Sequence, residues 1–144
     1  MKEHILVAVD GSENALEALK EAVKLAEAMH CKLTVVNVQL SFKTIHTKLY
    51  IKEDVIKDYQ KELFDNATKT AVEYLQTQGV DYELKMLIGD PVQQISQVAK
   101  ESEASYIVIG SRGMGLVKGT VLGSVSNGII HQAKVPVLII PQKK

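Results

Sequence analysis

Hydrophobic positions in this chain switch repeatedly between an unbroken or alternating pattern and a helical one. Ile5-Leu6-Val7-Ala8-Val9 is a continuous apolar run stopped by Asp10-Gly11-Ser12, the pattern of a strand buried on both faces and ended by a turn. Ala15, Leu16, Leu19, Ala22, Val23 and Ala26 then recur at helical spacing, with Glu13, Glu17, Lys20, Glu21 and Lys24 on the other face, which predicts an amphipathic helix capped by Ser12. Residues 33–38 are short and β-rich and predict a second strand. From Ile51 the helical period returns through Val55, Tyr59, Leu63, Ala67, Ala71 and Leu75, and Gly79 stands where a C′ glycine would end the helix. Residues 80–88 alternate Tyr82, Leu84 and Met86 with charged partners, as a strand near a sheet edge does. Asp90 as N-cap and Pro91 at the first helical position open a helix that turns Val92, Ile95, Val98 and Ala99 inward. Residues 106–109 predict a fourth strand, Val125, Ile129, Ile130 and Ala133 a fourth helix, and residues 137–140 a fifth strand.

The predicted order is β-α-β-α-β-α-β-α-β. Strict alternation requires crossovers between parallel strands, and right-handed crossovers put helices on both faces of one open sheet. The expected class is therefore α/β, a doubly wound sheet of five mainly parallel strands. Ligands of such sheets bind outside the carboxyl ends of the strands, where the winding reverses. That directs attention to the loops after strands one and four.

Length and charge narrow the functional classes. With 144 residues, a single domain over residues 1–144 is expected. Lys plus Arg and Asp plus Glu number 17 each, so no net field draws in nucleic acid or an acidic membrane. No basic stretch interleaves with aromatics, and no apolar run approaches a membrane span, so neither nucleic acid nor membrane is expected as a partner. The lone Cys31 and the absence of a signal-peptide core suit a reducing cytoplasm.

The candidate chemistry is concentrated late in the chain. Six of the nine glycines, Gly110, Gly113, Gly115, Gly119, Gly123 and Gly128, fall within nineteen residues. Glycine allows backbone N–H groups to close on an anion, and a following helix start adds unpaired N–H groups and the positive end of its dipole. Ser124 and Ser126 bring hydroxyls and Arg112 a permanent cation. Phosphate suits this set, although a surface connection with Ser124 as an ordinary N-cap reads the same glycines as turns. There is no G-x-x-x-x-G-K-[ST], which excludes a P-loop NTPase, and the third glycine of a G-x-G-x-x-G starting at Gly113 is replaced by Lys118.

Gly110, two residues, Gly113, nine residues and Gly123-Ser124 form a G-x₂-G-x₉-G-[ST] pattern, with Val9-Asp10-Gly11-Ser12 near the start and Val135-Pro136-Val137-Leu138 near the end. On these residues the chain resembles the ATP-binding universal stress proteins over nearly its full length. The resemblance implies a Rossmann-like fold of the adenine nucleotide alpha hydrolase type, with strand order 3-2-1-4-5. It implies that Asp10 hydrogen-bonds a ribose and that Ala8, Val9 and the backbone of Val38 contact adenosine, with Ile109 also at the nucleotide. Gly110, Arg112, Gly113, Gly123, Ser124, Val125 and Ser126 would surround the phosphates of ATP, which would carry Mg2+. Asp10 is also the one carboxylate in the two switch-point loops; its other reading is a turn or cap residue.

Other candidates are weaker. His4, His30, His46 and His131 lack metal-ligand spacing. Met114 and Leu116 read as packing anchors, Asp90 as a cap, and residues 39–50 as either a lid over the ligand or an ordinary loop. With no general base beyond Asp10, binding with slow or absent hydrolysis is expected. The alternatives are a weak ATPase or other ATP-using enzyme and a nucleotide-free interaction module. Val137–Ile140 is expected at a sheet edge, and both that position and the resemblance point to a homodimer through this strand.

Overall fold

The computed structural model describes residues 3–42, 51–112 and 122–143. Among them the elements follow as β1 His4–Ala8, α1 Glu13–Met29, β2 Lys32–Gln39, α2 Glu53–Leu75, β3 Tyr82–Ile88, α3 Pro91–Glu101, β4 Tyr106–Gly110, α4 Ser124–Gln132 and β5 Val137–Ile140. The strands form one sheet in the order β3-β2-β1-β4-β5, and every pairing is parallel. The chain winds outward from β1 to β3, then returns to place β4 on the other side of β1. The switch point is therefore the gap between β1 and β4.

The unbroken apolar run at β1 follows from this central place. Ile5, Val7 and Val9 join Leu33, Val35 and Val108 under α1 and the end of α2. Leu6 faces the opposite way and packs with Val36, Ile107 and Ile109 against Ile95 and Ala99 of α3 and Ile129 of α4. Both faces of the strand are covered, so a polar residue on either would be stranded without water.

Local chemistry sets the helix starts. Ser12 Oγ accepts the Ala15 N–H at 3.1 Å and caps α1. Asp90 Oδ2 accepts the Gln93 N–H at 3.0 Å, with Pro91 as the first helical residue of α3. Both caps are as the sequence predicts.

One expectation is corrected, and two helices are covered only in part. Gly79 is not the C′ residue of α2: the helix passes through Gln76 in right-handed geometry, and the N–H groups of Thr77 and Gln78 bond back to Tyr74 and Leu75. A tightened last turn satisfies the final carbonyls without a left-handed residue. Ile130 of α4 is 44% exposed, because one helical step of about 100° beyond the fully buried Ile129 turns it to the outer side. The apolar stripe of α2 is real, yet only its later half is covered. Ala71 and Leu75 are buried while Val55 and Tyr59 are exposed. At about 1.5 Å per residue the 23-residue helix outruns the eight-residue β2 beside it, at about 3.3 Å per residue. Its first turns overhang the carboxyl end of the sheet, where Phe42 and Tyr59 meet ring to ring at 5.8 Å.

Candidate functional site

Above the carboxyl ends of β1, β2 and β4 lies a cavity of about 320 Å³. Of the twelve residues named from the sequence, eleven line it: Ala8, Val9 and Asp10 at the end of β1, Val38 on β2, Ile109, Gly110 and Arg112 at the end of β4, and Gly123, Ser124, Val125 and Ser126 at the start of α4. Gly113 lies outside the described residues, as do Gly115, Gly119, Met114, Leu116, and positions 43–50 of the segment weighed as a lid.

One wall is the turn after β1. Asp10 Oδ1 accepts the Ser12 N–H at 2.9 Å, so the carboxylate is held by its own turn rather than left to rotate. Gly11 makes that turn with φ of 90°, a backbone that side chains resist, and α2 closes on it so that a Cβ there would sit 3.4 Å from the Ala67 carbonyl oxygen. The opposite wall is the start of α4. Its N-cap is Gly123, with no side-chain cap, and Ser124 is the first helical residue rather than the cap. The first-turn N–H groups of this nine-residue helix thus face the cavity without a capping side chain, where an anion is favoured.

The two ends of the glycine-rich segment are fastened together. Ser111 O accepts the Gly123 N–H at 2.7 Å and shares the Ser126 hydroxyl, at 3.1 Å, with Gly123 O at 3.0 Å. Ser124 is exposed at the helix start. Ser126, expected to offer a second hydroxyl, is 2% exposed and spends that proton inside the loop, so it adds backbone to the wall.

Four lining residues were not anticipated: Ala15, Asn37, Pro91 and Ile95. Asn37 is buried; its Nδ2 donates to Val9 O at 2.8 Å and its Oδ1 accepts from Gln39 Nε2 at 2.5 Å, fixing the strand end that faces Val38. A polar residue interrupting an apolar buried strand was the available signal. Pro91 and Ile95 carried none, since their cap and core roles explain them fully. Asn14 escaped notice as an ordinary first-turn polar residue, yet its Oδ1 accepts the Arg112 N–H at 2.7 Å.

The arrangement combines an apolar slot from Ala8, Val38, Ile95 and Ile109, a fixed carboxylate at Asp10, and a positive helix end. A flat apolar ring, hydroxyls and an anionic group would match these in turn. Asp10 is the one carboxylate among the described lining residues. Among the described residues no group of three or more His, Cys, Asp or Glu side chains could hold a metal ion, and no helix is long and apolar enough to cross a membrane.

Known proteins resemble this chain over nearly its whole length. Universal stress protein YxiE of Bacillus subtilis is 33% identical over 147 residues, which cover 94% of this chain and 97% of that protein. A universal stress protein solved in complex with cAMP superimposes with a TM-score of 0.73 at 27% identity, covering 96% of this chain and 97% of its own. The universal stress protein from Archaeoglobus fulgidus solved in complex with dAMP gives 0.69 at 25% identity, with the same coverage of 96% and 97%. The model of the universal stress protein family matches residues 1–141, and with the parallel 3-2-1-4-5 sheet and these relatives it makes this chain a member of the universal stress protein family.

Proposed function

We propose that the cavity binds ATP or a related adenine nucleotide and that the protein acts as a nucleotide-dependent stress-response module. The observation that carries this is the opposition of Asp10 and the uncapped start of α4 across one cavity. Adenine would occupy the slot of Ala8, Val9, Val38 and Ile109, ribose hydroxyls would bond Asp10, and phosphates would lie along Gly110, Arg112, Gly113 and Gly123 to Ser126. The cavity's volume of about 320 Å³ is within the range of small-molecule sites. Adenine nucleotides bound to two family members, cAMP in one and dAMP in the other, support the ligand class.

Hydrolysis is slow or absent in this reading. Phosphoryl transfer needs a positioned nucleophile and a charge clamp, and Asp10, already engaged by Ser12 N–H, is the single carboxylate among the described lining residues. Mg2+ would arrive with the phosphates. Bound nucleotide would bridge Asp10 and the start of α4 and so present a state that a partner reads. The protein works as one domain, in the cytoplasm, where a lone thiol such as Cys31 stays reduced. It pairs with a second copy through β5, an edge strand with Leu138 40% exposed.

Mass spectrometry of small molecules released from protein purified under native conditions tests the ligand, with titration calorimetry against ATP, AMP and cAMP. ATP or ADP in the released fraction is expected. AMP or cAMP as the preferred ligand would shift the reading to a mononucleotide sensor, which the two neighbouring complexes favour. No binding of any of them sinks it. Turnover of ATP at ordinary enzyme rates, abolished by Asp10→Asn with binding spared, would replace a binding module with an enzyme. Light scattering that shows a monomer at micromolar concentration would remove the homodimer.

A further inference from the structure

We infer that Asn14 is a positioning residue for the phosphates: its buried carboxamide sets the mouth of the glycine-rich segment and joins it to the end of β5. This rests on the nucleotide reading above and deepens it. Asn14 does not itself line the cavity, so it acts through the backbone that does.

The side chain is 1% exposed and uses both ends. Oδ1 accepts the Arg112 N–H at 2.7 Å and the Ser111 hydroxyl at 3.4 Å. Nδ2 donates to Ile140 O at 3.1 Å, the same carbonyl that accepts the Ser111 N–H at 2.9 Å. One amide therefore holds the last residue of β5 and the first two residues beyond β4. Ser111 in turn carries the return of the segment, through its carbonyl at Gly123 and Ser126. The path from Asn14 to the helix start that faces the cavity is two residues long.

Only a carboxamide meets these demands, because the site needs an acceptor on one side and a donor on the other at the same distance from the helix. An apolar residue would remove the acceptor of the Arg112 N–H and leave the Ile140 carbonyl with the Ser111 N–H alone. A carboxylate would keep the Arg112 bond but set two acceptors against each other at Ile140 and bring a negative charge behind the phosphates. The fit also explains Gly110: a Cβ there would lie 2.7 Å from Asn14 Oδ1 and 3.1 Å from the Asn14 carbonyl oxygen.

The experiment measures binding of ATP and of adenosine, which lacks phosphate, by titration calorimetry to the wild type, Asn14→Ala and Asn14→Asp. Asn14→Ala should weaken ATP by about tenfold and leave adenosine within about twofold. Asn14→Asp should weaken ATP further, with a loss that shrinks as salt is raised. Equal losses for ATP and adenosine would mean a structural role alone and overturn the inference, as would unchanged ATP binding in both variants. If the wild type binds neither ligand, the nucleotide reading fails and this assignment with it. Hydrogen exchange on the ligand-free wild type needs no variant: the Arg112 amide should be protected despite its place in a loop, and rapid exchange there would overturn the assignment. As a further check, Gly110→Ala should cost less ATP affinity in the Asn14→Ala background than in the wild type. Equal costs in both backgrounds would deny the contact its role.

Discussion

A Cβ placed on Gly128 of α4 would lie 2.6 Å from Val92 Cγ2 of α3. The two helices cover the same face of the sheet, and Gly128 is where they come together. Alanine is the better helix former by about 1 kcal/mol, so an isolated helix would gain from Gly128→Ala. Here the new methyl meets a β-branched side chain that is stiff at χ1, at an overpacking cost of about 1–3 kcal/mol. The clash wins. Gly128→Ala should lose about 1 kcal/mol in urea unfolding, and Gly128→Ala in a Val92→Ala background should be neutral or stabilising. A stabilised single variant would mean that α4 moves freely away from α3.

Asp10 is expected to act on the sugar. Asp10→Ala should weaken adenosine and ATP alike, by about tenfold, because a charge-assisted bond to a hydroxyl is lost while the phosphate wall is untouched. It contrasts with Asn14→Ala, which should spare adenosine. Calorimetry with both ligands separates the two walls of the cavity, and an Asp10→Ala variant that loses ATP alone would move Asp10 to the phosphates.

Asp90 is a cap rather than an acid. Its carboxylate accepts the Gln93 N–H, and it is absent from the cavity lining. Asp90→Ala should cost about 1 kcal/mol of stability, Asp90→Asn a few tenths at most, and neither should alter ATP affinity more than about twofold. Thermal unfolding and calorimetry on the same preparations check both halves.

The Cys31 thiol lies at the opposite end of the sheet, after α1. Burial first, and the Glu3 carboxylate second, push its pKa above the ordinary thiol value. Because the folded value is the higher one, the neutral thiol's contribution to stability is complete below the unfolded thiol's pKa. It is lost as pH rises through the folded one. Alkylation at pH 8 should be slower than that of a small-molecule thiol, accelerate on going to more alkaline pH, and reach the ordinary rate in denaturant. Reaction at the ordinary rate in the native protein would contradict the burial.

The order of elements, the two capped helix starts and the parallel sheet were written in the period of the apolar residues. Each is a local or near-local property: two-sided burial forces an unbroken run such as Ile5 to Val9, and Ser12 or Asp90 bonds an N–H only three residues away. The cavity was legible too, because glycine spacing and Asp10 are linear features with a physical meaning of their own. What the chain alone did not disclose is whatever depends on a partner distant in sequence. Asn14 looks like any polar residue in a first turn until the fold sets it against Arg112, 98 residues away, and Ile140, 126 residues away. The overhang of α2 depends on how long the strands beneath it happen to be, and the outward face of Ile130 on which step of α4 meets the sheet. Sequence period decides which residues share a face, while tertiary packing alone decides how much of that face is covered and which buried amide finds both of its partners.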